Sequence, residues 1–269
     1  NQYLHIDIET YSEADIKKCG VYRYVDDPSF EILMLTYALD DGELITVDLA
    51  MGDSLTDSFI DMLMDPNVVK VAHNANFEIT CLNKHLGLEL DVSEGLCTAF
   101  LASRLGLPRS LDEVGQVLGL DSEQAKLKTG KLLISYFSKP CKPTASNGYR
   151  SRNLPYDDME KWDLYLKYNR QDVVAERNIM DKLMAYGKVS TPQDDELWVL
   201  DQKINSKGVL VDMEMVLNIL NYANIYTDKM VERAKELTGL DNPKSVLQSK
   251  TWLAKKGIII DDLTKATVL

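Results

Sequence analysis

Two acidic side chains near the start of the chain have the spacing of a metal site. Asp7 and Glu9 lie in a segment, Tyr3–Thr10, in which apolar and polar residues alternate. That alternation predicts a β-strand with both carboxylates on one face. Neighbouring carboxylates repel each other unless a cation lies between them, and Mg²⁺ and Mn²⁺ prefer oxygen ligands. The pair is therefore a candidate cation site, although an isolated Asp-x-Glu is more often solvated on an edge strand.

Three later residues extend this candidate site. Glu78 follows a short β-branched strand and falls in the first turn of a predicted helix, which is a usual location of ligand sites in α/β proteins. Tyr168 and Asp172 are four residues apart in a long helical pattern, so they share one face of that helix. By itself, such a pair is usually a partly buried tyrosine beside a solvated aspartate.

The elements that must carry these residues alternate between strands and helices. Apolar runs predict strands at 31–39 and 43–48, separated by an Asp-Asp-Gly turn, and a third strand at 68–71. Helical spacing predicts helices at about 55–64, 77–86, 96–105, 111–120 and 157–186. The predicted fold class of residues 1–190 is therefore α/β.

A polar segment precedes the longest helix. It contains Pro140, Pro143, Gly148 and Pro155. The basic residues near them are Lys139, Lys142, Arg150 and Arg152. Long loops inside a compact domain are usually functional or mobile, and the sequence leaves open whether this one has a function or is only a surface excursion.

The chain changes character after residue 190. Helical patterns at about 195–206 and 213–238 are followed by a Gly239 cap and a shorter helix after Asn242-Pro243, and strand-like alternation occurs only around 208–212. We predict a domain boundary near residue 190, followed by an all-α segment at 191–269.

The composition is that of a globular protein. A chain of 269 residues with 45% hydrophobic residues can bury a large core. No apolar run approaches the roughly 20 residues of a membrane span, and no segment at the start is typical of a secretory signal. We therefore expect no membrane contact and a cytoplasmic location. Four dispersed cysteines and three histidines predict neither a zinc site nor a disulfide framework.

The net charge of −12 is unusual for a protein that binds nucleic acid, because phosphate contacts normally come from a basic excess. Acidic and basic residues are equal in number over 196–269, so the whole acidic excess lies before residue 196. Divalent cations in an acidic site would let an anionic strand bind locally. The same excess is equally compatible with a role in solubility alone.

The order and spacing of these acids resemble a known family. Asp7-x-Glu9, Glu78 and Tyr168-x-x-x-Asp172 resemble the motifs of the DEDD superfamily of 3′–5′ exonucleases, in its tyrosine-bearing subclass, over residues 1 to about 190. The resemblance implies a ribonuclease-H-like fold, a mixed central sheet flanked by helices. The second motif of the family ends in Asp, whereas this chain has Glu78, which keeps the carboxylate and adds one methylene.

The resemblance also implies a mechanism. Two divalent cations, Mg²⁺ or Mn²⁺, would clamp the scissile phosphate at the 3′ end of a single-stranded or frayed DNA strand. Their ligands would be Asp7, Glu9, Glu78 and Asp172. Tyr168 would orient the attacking water without ionising, since its unperturbed pKa is about 10. Thr10 and Asn74 match family positions near the terminal nucleotide, although a strand-end hydroxyl and a helix N-cap would explain them equally well.

The C-terminal segment resembles the start of the polymerase domain in family A DNA polymerases, of phage or prophage type. Ile204, Gly208 and Asp212 match the turn that opens the helical thumb, and Asn242-Pro243-Lys244-Ser245 matches an element at its tip. No palm or fingers motif occurs in the chain. The resemblance thus implies the proofreading exonuclease part of a DNA polymerase, with the remainder of the polymerase chain as its partner.

Two alternatives remain open from the sequence. Glu78 and the acidic composition would also suit a catalytically silent exonuclease fold that guides DNA for the polymerase. A ribonuclease similar to RNase D is a further possibility, against which the thumb-like segment argues.

Overall fold

A five-stranded sheet organises the first part of the molecule. The computed structural model describes residues 2–120 and 130–268. The strands are β1 (Gln2–Tyr11), β2 (Glu31–Leu39), β3 (Ile45–Val47), β4 (Val68–Ala72) and β5 (Gly95–Cys97). Their spatial order is β3-β2-β1-β4-β5. The pairs β1–β2 and β2–β3 are antiparallel, whereas β1–β4 and β4–β5 are parallel.

Helices flank this sheet, and after β5 the described residues contain helices but no further strand. They are α1 (Ile16–Val25), α2 (Asp57–Met64), α3 (Ala75–Leu86), α4 (Thr98–Arg104), α5 (Leu111–Val117), α6 (Gly130–Phe137), α7 (Met159–Met184), α8 (Pro192–Lys207), α9 (Met213–Thr238), α10 (Val246–Lys255) and α11 (Lys265–Val268). The predicted mixed α/β fold with a helical C-terminal part is confirmed. Within the described ranges, no helix combines the length and the apolar character needed to cross a membrane.

The two faces of β1 pack against different helices. Leu4, Ile6 and Ile8 belong to one buried cluster with Phe59 of α2 and Leu82 of α3. On the other face, the aromatic side chains of α7 pack against α6 and the end of β1. They form a second cluster that contains Tyr11, Phe137, Trp162, Tyr165 and Tyr168. The strand therefore separates an apolar layer from the layer that contains α7.

The chain divides into two compact units, of which the first ends at Lys207 and the second begins at Gly208. Helix α8 belongs to the first unit because its side chains pack there. The ring of Trp198 lies 6.3 Å from that of Phe100, and Asp194 forms a 2.9 Å ion pair with Arg104. The division between the units thus lies immediately after the end of α8, whereas the sequence predicts a boundary near residue 190.

Several elements differ from the sequence-based expectation. The segment 11–30 contains α1, for which the sequence gives no helical pattern, and β5 and α6 are likewise not predicted. The strand expected at 43–48 is shorter, because β3 spans only Ile45–Val47. The alternating segment at 208–212 forms no strand. All four cysteines are free, and Cys81 and Cys97 are buried.

Candidate active site

Among the described residues, three short side-chain contacts join one face of β1 to α7. Because β1 is the middle strand of the sheet, its acidic residues are not on an edge strand. The contacts are His5 Nδ1 with Glu176 Oε2, Asn169 Nδ2 donating to Asp7 Oδ2, and the Tyr165 hydroxyl donating to Glu9 Oε2, each 2.6 Å long. On the strand the three residues are two positions apart, and on the helix they are four and seven positions apart, so each set lies on one face of its element.

Three carboxylates converge between these elements. Oxygen atoms of Asp7, Glu9 and Asp172 all lie within 4.8 Å of one another. Glu9 and Asp172 are buried and Asp7 is partly buried. Carboxylates that approach this closely away from water are stabilised by a cation between them, and an all-oxygen set suits Mg²⁺ or Mn²⁺. The three residues could therefore hold a divalent cation, as the sequence predicts for them.

Glu78 lies beside this cluster but is not one of the three converging residues. It occupies the first turn of α3, as predicted, and it is buried. Burial raises the pKa of its carboxyl well above the usual value, and the negative charges of Glu9 and Glu176 raise the pKa further. Its Oε2 atom is buried and has no hydrogen-bond partner among the described residues. An unsatisfied buried oxygen next to other acids fits a bound cation.

Tyr168 contributes a neutral hydroxyl group to this site. Its ring is buried on α7. Burial raises its pKa, and the negative charges of Asp172, Glu9 and Asp7 raise the pKa further. The phenol therefore keeps its proton at neutral pH and can act as a hydrogen-bond donor.

The Tyr168 ring lies directly against the backbone of α6. A Cβ atom added to Gly130 would be 2.0 Å from Cε2 of Tyr168 and 2.4 Å from its Cζ. No real Cβ atom approaches an aromatic carbon so closely. The ring can occupy this position only because residue 130 is a glycine.

A cleft of about 500 Å³ adjoins the carboxylates. Glu9 and Thr10 line it at the end of β1, and Phe77 and Ile134 contribute apolar walls from α3 and α6. The Thr10 hydroxyl is 2.8 Å from the Tyr24 hydroxyl, so it is a buried, bonded group at the edge of the cleft. The cleft is within the size range of small-molecule sites in proteins.

Asn74 is placed differently from the other predicted residues. It precedes α3 with a left-handed backbone (φ 95°) and makes no side-chain capping bond. It is exposed, and it is not among the described residues that line the cleft. The structure therefore brings Thr10 to the site but leaves Asn74 outside the cleft.

Two residues that support the carboxylates are not identified by the sequence analysis as site residues. Neither Tyr165 nor Asn169 is among the predicted site residues. Both occupy the face of α7 that carries Asp172, so helical periodicity from Asp172 is the signal that could have identified them.

The pairing of β1 with β2 is irregular beside the site, with a register shift between Glu9 and Thr10. Such bulges are common next to active sites, where they redirect a side chain.

Comparisons with known proteins relate the chain to a polymerase. No protein-family model matches it. Over 262 residues it is 45% identical to a protein named DNA polymerase from Bacillus phage SP02. The match covers 97% of this chain and 40% of that protein, so the chain spans less than half the length of this relative. The predicted resemblance to a phage DNA polymerase is confirmed. The narrower assignment to family A stays a prediction.

Solved structures with partial similarity include nucleases and a polymerase. Escherichia coli RNase D, described as an exoribonuclease involved in structured RNA processing, gives a TM-score of 0.46 at 13% identity, covering 77% of this chain and 46% of its own. The family B DNA polymerase of the archaeon Pyrobaculum calidifontis gives a TM-score of 0.46 at 17% identity, covering 75% of this chain and 28% of its own.

Proposed function

We propose that this chain is the 3′–5′ exonuclease part of a DNA polymerase, of family A, and that it hydrolyses the 3′-terminal phosphodiester of DNA during proofreading. The observation that carries the proposal is the convergence of Asp7, Glu9 and Asp172 within 4.8 Å, with the neutral Tyr168 hydroxyl beside them. The similarity to a phage DNA polymerase supports this setting for the reaction.

The carboxylates are the proposed ligands of two divalent cations, Mg²⁺ or Mn²⁺. Asp7, Glu9 and Asp172 would be joined by Glu78, whose buried Oε2 lacks a partner among the described residues. Bound cations supply charge stabilisation at the phosphate and a water molecule of lowered pKa. Tyr168 then holds the attacking water through a hydrogen bond.

The substrate proposed for the cleft is the terminal nucleotide of a strand. Phe77 and Ile134 offer apolar walls for the base, and the cleft reaches Glu9 at the carboxylates. Stacking of this kind accepts any base. A mismatched end frays more readily than a paired one, so selectivity for errors would come from fraying and not from base readout.

We assign the exposed apolar surface of the second unit to contact with the rest of a polymerase chain. Helix α9 has no buried residue. Leu217, Ile225 and Tyr226 are each more than half exposed on it. Apolar surface of this kind usually marks a protein interface, and the phage relative is more than twice as long as the matched region.

Incubation with 5′-labelled single-stranded DNA and Mn²⁺ tests the proposal. We expect a ladder of shortened products, lost in Asp7→Ala and retained in Asp181→Ala, which removes an exposed acid of α7 outside the cluster. Absence of a ladder for the unaltered chain would contradict the proposal and favour the silent scaffold. Preferential degradation of a matched RNA oligonucleotide would favour the ribonuclease alternative.

A further inference from the structure

The loop at residues 139–152 begins and ends beside the candidate active site. Lys139 and Pro140 line the same cleft as Glu9. At the other end of the loop, the Arg152 guanidinium lies 3.8 Å from the centre of the Tyr11 ring, and Tyr11 is the last residue of β1. A strand whose 3′ end occupied the cleft would leave it next to this loop.

The 139–152 loop is locally cationic in an acidic chain. It contains four basic residues and no Asp or Glu, whereas the whole chain has a net charge of −12. Arg150 pairs with Asp157 at 3.1 Å and Arg152 pairs with Glu31. Lys139 and Lys142 are exposed, and in the described parts of the chain no carboxylate lies within ion-pair distance of either. Their charges are available to a phosphate backbone.

Internal hydrogen bonds hold the 139–152 loop in one shape. The Cys141 N–H donates to the Ser151 carbonyl at 2.7 Å. The Asn147 side chain donates to the carbonyls of Lys142 (3.0 Å) and Arg150 (3.3 Å). Asn153, next to the loop, ties it to α6 through the Tyr136 carbonyl at 2.9 Å. The loop is therefore preorganised, which lowers the entropy lost when a ligand binds.

Tyr149 is held in a strained conformation with its ring in solvent. Its φ is +59° and it follows Gly148, whose φ is +67°. A left-handed backbone is rare for a bulky residue and persists only where the surrounding structure imposes it. The Tyr149 N–H donates to the Thr144 carbonyl at 2.8 Å, and the residue is 73% exposed. The loop thus presents an aromatic ring that nothing in the described protein covers.

We propose that the 139–152 loop is a binding surface for single-stranded DNA, on which Tyr149 stacks against a base and Lys139 and Lys142 contact backbone phosphates upstream of the terminal nucleotide. This rests on the proposed function, because the cleft supplies the position of the 3′ end. An exposed ring and exposed cations on one surface are the combination by which proteins bind single strands without sequence preference.

Binding of labelled oligothymidylates in EDTA tests the surface without hydrolysis. The probe is a 5′-fluorescein strand of about twelve nucleotides, within the length that single-strand sites cover, and a trinucleotide is the short probe. We expect Tyr149→Asn, which removes the ring and tolerates the left-handed backbone, to weaken binding of the long probe about tenfold. For Lys142→Gln, the slope of the logarithm of the association constant for the long probe against the logarithm of the salt concentration should be smaller in magnitude by about 0.7. Neither variant should change binding of the trinucleotide.

Matched changes outside the loop serve as controls. Tyr186→Asn and Lys188→Gln alter an exposed tyrosine and an exposed lysine after α7 and should leave both affinities unchanged. Unchanged affinity of Tyr149→Asn and Lys142→Gln for the long probe would overturn the inference. Equal losses of affinity for the long probe in the control variants would also overturn it. The same holds if the unaltered chain does not bind the long probe.

Failure of the loop inference and failure of the proposed function give different results. If the loop is not a DNA surface, the chain still hydrolyses the trinucleotide in Mn²⁺ while the loop variants bind the long probe normally. If the chain is not a nuclease, no probe is hydrolysed in Mn²⁺, but the binding differences in EDTA persist.

Discussion

At the scale of single residues, the carboxylates are oriented by neutral donors from α7. Burial raises the pKa of Tyr165 well above its usual value, as does the negative charge of Glu9, so its hydroxyl stays protonated and donates to Glu9. The Ser138 hydroxyl lies 2.7 Å from that of Tyr165 and extends the chain of hydrogen bonds. Asn169 plays the corresponding part for Asp7. Groups that orient metal ligands strongly affect metal affinity.

Tyr165→Phe tests this role by removing one oxygen atom and leaving the ring in place. We expect the affinity for Mn²⁺, measured by titration calorimetry, to fall at least about tenfold, because Glu9 loses its donor. Tyr37→Phe, which changes another buried tyrosine that packs on Phe59, should bind Mn²⁺ normally. Equal Mn²⁺ affinities in the two variants would contradict a positioning role for Tyr165.

Glu78 should make the stability of the metal-free protein depend on pH. Because the pKa of its carboxyl is raised in the folded state, the folded protein keeps a proton that the unfolded chain loses above about pH 4. The free energy of unfolding therefore falls as the pH rises from the pKa of Glu78 in the unfolded chain to its raised pKa in the folded protein. The fall is up to about 1.4 kcal/mol for each pH unit in this interval.

Glu78→Gln removes this titration. In EDTA, the Tm of the Glu78→Gln variant should fall less between about pH 5 and about pH 8 than the Tm of the unaltered chain falls over the same range. Thermal melts followed by circular dichroism measure both curves. Parallel curves would show that Glu78 does not titrate in this way.

The sequence predicts the acids of the candidate site but not the residues that contact them, for a physical reason. Residue type and spacing along one strand or one helix reveal Asp7, Glu9 and the Tyr168–Asp172 pair. The contacts made by Tyr165 and Asn169 join residues 156 and 162 positions apart. They depend on how α7 crosses the sheet, and no local pattern encodes that crossing.

At the scale of elements, α7 is the helix that brings the site together. It is 26 residues long and is anchored to the β2–β3 side of the sheet. The Arg170 guanidinium donates to Thr46 Oγ1 at 2.8 Å and to the Leu44 carbonyl at 3.1 Å, and the Trp162 indole donates to Asp48 at 2.8 Å. These contacts fix the rotation of the helix, so Asp172 faces β1.

Gly130→Ala tests the close approach of α6 to α7. The added methyl group would overlap the Tyr168 ring, so we expect the ring to be displaced and hydrolysis to fall as far as in Tyr168→Phe. The overlap should also lower the free energy of unfolding by about 1–3 kcal/mol.

Gly115→Ala in α5 is the matched control. There the shortest contact of the new Cβ atom would be 3.2 Å, to Cδ1 at the end of the Leu120 side chain, which can move. The next contacts, with Leu120 Cγ at 3.8 Å and Ile179 Cδ1 at 4.0 Å, are ordinary van der Waals contacts. A Gly130→Ala variant that hydrolyses DNA as fast as Gly115→Ala would contradict the role proposed for the position of the Tyr168 ring.

The elements that the sequence analysis misses have weak local signals. Helix α1 is kinked at Gly20, whose φ is +73°, and one apolar face does not run through it. Strand β5 has three residues, too few for an alternating pattern. By contrast, β2 and α9 are long and strongly patterned, and their predicted ranges match the observed ones.

At the scale of the whole molecule, the site lies entirely within the first compact unit. A fragment ending at Lys207 should therefore fold and bind Mn²⁺ like the full chain. A fragment ending at Ser190 loses the Trp198–Phe100 contact and the Asp194–Arg104 pair. We expect the Tm of this shorter fragment to be about 5 °C below that of the fragment ending at Lys207, which corresponds to a loss on the order of 2 kcal/mol in the free energy of unfolding.

Thermal melts and Mn²⁺ titrations of both fragments check this prediction. Equal stability of the two fragments would place the functional boundary near residue 190, as the sequence predicts. Failure of the longer fragment to fold would contradict the independence of the first unit.

The location of bound metal is the sharpest test of the proposed cation site. Anomalous scattering from a crystal soaked in Mn²⁺ identifies the ions without relying on activity. We expect peaks between Asp7, Glu9 and Asp172, with Glu78 turned toward them. Peaks bound by other residues, or no peak at this cluster in a saturating soak, would contradict the proposed cation site.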